Sequence, residues 1–302
     1  MASCSMLTLL LLGSPVGSAP MASPIEDPQW KLAVEGFTTS DVMPNSDDSG
    51  PDQAAFTRFE ISSAARIASQ LKLSFGLNTS LSRYQRVGIA GFEEYGGVLA
   101  VRRGSSQLVW EAGWTPARIK FQDDAGRAEF RRIESTVGLR QALPSGIRAR
   151  AQWTYRRDDY VNVFNIRDAS GPSWSARLDW RPQPIVTLRA ELGGGSTTGR
   201  TARYSQDERW VSGGITVARG RWKLEPWLVS GTQRYPEAEA TDSNFRRRDQ
   251  WIETGIRAAV TVHPQLTLLI AGTLLDQTSS RHDRTYDVRS VRFGFEWFSP
   301  EN

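Results

Sequence analysis

Residues 133–155 read IESTVGLRQALPSGIRARAQWTY. Each arm alternates. Ile133, Val137 and Leu139, with Ser135 among them, take one face of the first arm; Glu134, Thr136, Gly138 and Arg140 take the other. In the second arm Ile147, Ala149, Ala151, Trp153 and Tyr155 are separated by Arg148, Arg150, Gln152 and Thr154. A period of two means strands with unlike faces. Leu143-Pro144-Ser145-Gly146 between them is a tight turn, because proline fixes φ and glycine permits positive φ. The stretch is a hairpin with one apolar face and one arginine-rich face. In a soluble sandwich the apolar face packs on a second sheet. In a membrane barrel it meets lipid, and the arginines meet a wet lumen. The hairpin alone leaves both open.

The same rhythm extends in both directions. Alternating segments are predicted at Trp30–Thr38, Phe56–Ala64, Leu71–Tyr84, Tyr95–Arg102 and Leu108–Trp114 before the hairpin. After it come Trp174–Arg181, Val186–Leu192, Val211–Val217, Trp222–Leu228, Ile252–Val262, Leu266–Leu274 and a last strand through Val291, Phe293, Phe295 and Trp297. The stretches that read as loops include 41–53 (DVMPNSDDSGPDQ), 117–130 (ARIKFQDDAGRAEF), 156–171 (RRDDYVNVFNIRDASG), the Gly/Ser/Thr run after Leu192 and 236–249 (PEAEATDSNFRRRD). Short turns at 65–69, 103–105, 143–146, 182–184, 219–221 and 263–265 alternate with longer polar connections. A sandwich has no reason to sort its turns this way, whereas an outer-membrane barrel puts short turns at one end and long loops at the other. The reading is all-β: a single antiparallel up-and-down transmembrane barrel of about fourteen strands (range twelve to sixteen). Eleven tryptophans, all in predicted strands, fit aromatic girdles at the two membrane interfaces.

Composition sets bounds. The chain has 302 residues, 39% apolar, with a net charge of +4. After residue 20 no apolar run approaches the roughly 18 residues of a spanning helix. The basic excess is small and no basic tract stands apart from the strands, so nucleic acid is not an expected partner. Met6–Leu12 is apolar and is followed by Gly13-Ser14-Pro15 and small residues to Ala22. This predicts a signal peptide over 1–22, despite an uncharged start, and a barrel over 23–302. The single cysteine, Cys4, falls in that leader and is not preceded by a lipobox.

The final stretch SVRFGFEWF resembles the C-terminal assembly signal of Gram-negative outer-membrane β-barrels, an amphipathic strand ending in an aromatic residue. Phe293, Phe295 and Trp297 alternate, Gly294 sits among them, and Phe298 lies near the end, followed by Ser299–Asn302. The chain's size resembles that of monomeric fourteen-stranded porins. The resemblance implies an outer-membrane location with both termini in the periplasm. It also implies two partners, outer-membrane lipid and the barrel-assembly machinery.

The predicted lumen face between residues 132 and 191 carries Arg132, Arg140, Arg148, Arg150, Arg156, Arg177, Arg181 and Arg189, against Glu134, Asp179 and Glu191. Charged rings set ion selectivity, and guanidinium matches carboxylate and phosphate in a bidentate fashion. One reading is a channel for small hydrophilic, even anionic, solutes. Another is that the arginines pair with carboxylates and merely fill the barrel. Further alternatives are a structural, assembly or export barrel with a plugged lumen, and an outer-membrane hydrolase. The hydrolase would need His282, beside Asp283 and Asp287 and after Ser279 and Ser280, because His263 sits in a short turn. No metal or other cofactor is expected: no Cys/His spacing occurs, and Asp41–Asp52 reads as a solvated loop rather than a calcium site.

Overall fold

The computed structural model describes residue 26 and residues 28–40, 51–85, 91–123, 126–236, 246–281 and 285–300. The expected signal peptide, most of the acidic stretch (41–50), His282 and Asp283 lie outside the described residues. Fourteen strands run in chain order: β1 (Gln29–Thr39), β2 (Asp52–Ala68), β3 (Leu71–Tyr84), β4 (Phe92–Gly104), β5 (Leu108–Asp123), β6 (Gly126–Leu143), β7 (Ile147–Tyr160), β8 (Ala169–Gln183), β9 (Val186–Gly199), β10 (Gln206–Arg219), β11 (Trp222–Arg234), β12 (Arg248–His263), β13 (Leu266–Ser279) and β14 (Tyr286–Phe298). Each pairs antiparallel with its chain neighbours, and β1 pairs with β14, from Lys31 opposite Phe298 to Thr39 opposite Ser290. The sheet is a closed barrel, so no strand edge is left to satisfy, as a lipid environment demands.

Side-chain alternation and register sort the residues consistently onto two faces. On β6, β7 and β8 the outward set includes Ile133, Val137, Trp153, Tyr155, Trp174, Leu178 and Trp180, all exposed. A continuous apolar belt of this kind is far larger than the patches a water-soluble monomer tolerates, and it matches the outward band of membrane barrels. Near the short turns Trp30, Trp110, Trp180, Trp222 and Trp297 all point outward and form an aromatic girdle. Three tryptophans depart from the girdle expectation. Trp210, Trp227 and Trp251 face the lumen, where each lies against a glycine of a neighbouring strand (Gly193, Gly255 and Gly231). The turn at Pro144–Gly146 forms as expected, with Gly146 at positive φ (74°); Ser145 also takes positive φ (61°), which its residue type did not predict.

The loop assignments need correction. Residues 117–130 are not a charged loop, because β5 runs to Asp123 and β6 starts at Gly126. The polarity of the faces inverts there. Ile119, Phe121 and Phe130 point inward, while Arg118, Lys120 and Glu129 point outward. Phe130 is buried, stacked on Tyr160 at 4.6 Å and edge-on to Phe121. Phe37–Tyr84 and Phe56–Phe92 repeat the pattern at the same end of β1–β4. These segments rise past the apolar belt into water, so charges go outside and rings inside. Within 156–171, Arg156–Tyr160 belongs to β7 and Ala169–Gly171 to β8, with a 3-10 segment, Asn162–Arg167, between them. The Gly/Ser/Thr run after Leu192 is strand as well, since β9 continues to Gly199.

Candidate functional site: the lumen wall from β5 to β12

The register places all eight singled-out arginines on the inward face. It also brings most of them to carboxylates. Glu111 of β5 receives Arg102 at 3.6 Å, Arg140 at 2.9 Å and Arg150 at 2.7 Å. Asp158, almost fully buried, accepts two hydrogen bonds from Arg132 (2.8 and 3.1 Å) and has Arg156 at 3.4 Å. Asp179 holds Arg177 in a bidentate pair and Arg189 at 3.0 Å. Arg181 donates to the Pro184 carbonyl at the turn. Arg148, like Arg181, is exposed and has no ion-pair partner among the described residues, and it differs in making no side-chain hydrogen bond there either. Nothing in the linear pattern shows that three arginines from β4, β6 and β7 converge on Glu111.

These pairs fix geometry more than they add stability, because half-exposed ion pairs contribute at most about 1 kcal/mol each. Inward charges keep much of their water. Arg102 retains 50% of its side-chain exposure and Lys223 49%. Both stand within three residues of a short turn; at mid-strand Arg257 still retains 36%.

A recess of about 300 Å³ opens in the wall between β6 and β10. Its floor is made of small inward residues, Gly171, Ser173 and Ser175 on β8 and Gly195 on β9. Larger side chains flank it: Gln152, Thr154 and Arg156 on β7, and Gln206, Glu208 and Trp210 on β10. The rows are set by register. Thr154, Ser173, Gly195 and Glu208 stand side by side, and so do Gln152, Ser175, Gly193 and Trp210. Trp210 is seated on Gly193, where a Cβ would come within 2.6 Å of the indole. Glu134, Ser173, Ser175 and Glu208 make no side-chain hydrogen bond among the described residues. The sequence signal was the run GGGSTTG, which strips the inward side of β9 of bulk.

At the seam, Phe293, Phe295 and Trp297 of the expected assembly signal point outward, while Gly294 and Phe298 point inward. Gly294 is where β14 meets β1 closely: a Cβ there would lie 2.2 Å from the Val34 carbonyl oxygen. The Phe293 ring covers Gly36 of β1. For the hydrolase reading, Ser279 is engaged by Asp249, to which it donates at 2.6 Å, and Arg247 clamps the same carboxylate. Among the described residues no group of three or more His, Cys, Asp or Glu could hold a metal ion.

No protein-family model matches the sequence, and no curated protein does. Solved structures do share the architecture. OmpT, an outer membrane protein of Vibrio cholerae, is similar with a TM-score of 0.57 at 8% identity, over 95% of this chain and 100% of that one. An anion-selective porin from Comamonas acidovorans gives 0.52 at 7% identity, over 91% and 99%. A Pseudomonas aeruginosa FadL homologue gives 0.53 at 9% identity, over 89% and 90%. At these identities the likeness is one of fold, and the fold is that of Gram-negative outer-membrane β-barrels.

Proposed function

We propose that the protein is an outer-membrane channel for passive diffusion of small hydrophilic solutes, with a preference for anions, and that it has no enzymatic role. The observation that carries this reading is the wet interior: inward-facing Arg102 and Lys223 keep about half of their side-chain exposure even while paired with a carboxylate. The solved structures of like fold include an anion-selective porin, which agrees with it. Anion preference follows from the excess of arginine near the short turns of β4 to β9, with Arg148 and Arg181 both left without an ion-pair partner among the described residues.

Reconstitution in planar bilayers tests both parts. Discrete conductance steps are expected, with a reversal potential in a KCl gradient that favours chloride. Arg148→Glu is expected to move that potential toward potassium. A folded protein that conducts nothing removes the channel reading, and a potassium preference in the native protein removes the arginine argument.

A further inference from the structure

We infer that the recess between β6 and β10 is a binding site for one unit of a neutral saccharide within the lumen. The inference deepens the channel reading and rests on it only for access, since a wetted lumen brings solute to the wall. The first argument is chemical. A pyranose presents hydroxyls around its edge and a patch of C–H on its face. The recess presents the complement. Ser173 and Ser175 supply hydroxyls, the Gln152 amide (its nitrogen donating to Thr154) supplies a carbonyl oxygen, Glu208 supplies a strong acceptor, and one side carries the Trp210 indole. Sugar hydroxyls donate well to carboxylates, and an aromatic face receives C–H groups that polar residues cannot.

The second argument is availability. Glu134, Glu208, Ser173 and Ser175 have no side-chain hydrogen bond within the described protein, so their hydrogen-bonding capacity is turned to the lumen. The third is size: about 300 Å³ stands at the small end of ligand pockets and suits one ring rather than a chain. The fourth is pre-organisation. Trp210 is held against Gly193 and the floor belongs to paired strands, so little ordering is needed on binding. Charge then selects among sugars. Two carboxylates, Glu134 and Glu208, face one arginine, Arg156, which also leans to Asp158 at 3.4 Å. An acidic sugar is repelled there even though arginines line the wall nearer the turns.

The test is a titration of detergent-folded protein with maltotriose and, separately, trigalacturonate, read by intrinsic tryptophan fluorescence. Bilayer current is recorded with the same probes. Saturable quenching or enhancement by maltotriose is expected, with weaker binding of trigalacturonate. Trp210→Ala and Glu208→Gln are each expected to weaken maltotriose binding about tenfold, the equivalent of one aromatic contact or one charged hydrogen bond. Ser173→Val narrows the recess without touching the indole and is expected to weaken it too, which guards against misfolding of the Trp210 variant. A native protein whose fluorescence does not saturate with maltotriose overturns the site, and so does tighter binding of trigalacturonate. Conductance that maltotriose leaves unblocked, with no fluorescence change, sinks the saccharide site and spares the channel. Saturable binding without conductance does the reverse.

Discussion

Glu111 illustrates how one side chain can govern a wall. Only 13% of its surface is exposed, and it faces guanidinium groups from Arg102, Arg140 and Arg150. Replacing it with glutamine keeps the shape and removes the charge. The three arginines would then repel one another in a region shared by β4, β6 and β7. Two effects follow and can be measured separately. Stability should fall by about 1–3 kcal/mol, the usual cost of losing hydrogen bonds between charged groups, as read from urea unfolding in micelles. The reversal potential should shift further toward chloride, because the freed guanidiniums now act on the solute path. A loss of stability with no change in selectivity would mean that these arginines serve only to fill the barrel.

At the scale of the strand, β5 and β6 show two kinds of surface on one ribbon. In the part beyond the belt, Arg118 and Glu129 form an outward ion pair at 2.6 Å, while Phe130 is buried inside. An exposed pair in water contributes little, so Arg118→Ala should leave the unfolding transition where it is. Phe130→Ala removes a buried ring and should cost about 3–5 kcal/mol. If the two variants behaved alike, the inverted segment would not be a packed core. This segment is also where sequence reading failed, and the reason is physical. Alternation persists through Arg118, Ile119, Lys120 and Phe121, but the charged set now takes the face that apolar residues held at Trp110 and Trp114. Charge density therefore reads as loop. The glycines of β9 failed for another reason: glycine carries no polarity signal, and only the neighbouring strands show what the missing side chains make room for. The belt, by contrast, was legible because lipid requires an apolar residue at every second position.

The seam is an element-scale feature with a sharp prediction. A side chain at Gly294 would meet the β1 backbone at 2.2 Å, whereas one at Gly272 of β13 would meet nothing within 4 Å. Gly294→Val should therefore prevent closure, seen as loss of the fast-migrating folded form on unheated gels. Gly272→Val should fold normally. The sequence placed Gly294 in an assembly signal, and the structure adds that the missing Cβ lets β1 and β14 approach.

For the whole molecule, the two ends differ in construction, and that difference argues for one orientation. At one end the connections are short: residues 69–70, 105–107, 144–146, 184–185, 220–221 and 264–265 join consecutive strands. At the other, strands overrun the apolar belt and carry outward charges such as Arg83, Glu93, Arg118 and Glu129. Such a charged rim suits the outer surface, where strands stand in water, and the termini then lie in the periplasm. Because Cys4 is the sole cysteine and falls in the expected leader, a single introduced thiol reports its side directly. Gln70 and Gln85 flank the two ends of β3 and are both exposed. In intact cells a membrane-impermeant maleimide should label Gln85→Cys and should reach Gln70→Cys only once the outer membrane is permeabilised. The opposite pattern would invert the barrel and put its arginine-rich short-turn end, Arg148 included, at the cell surface.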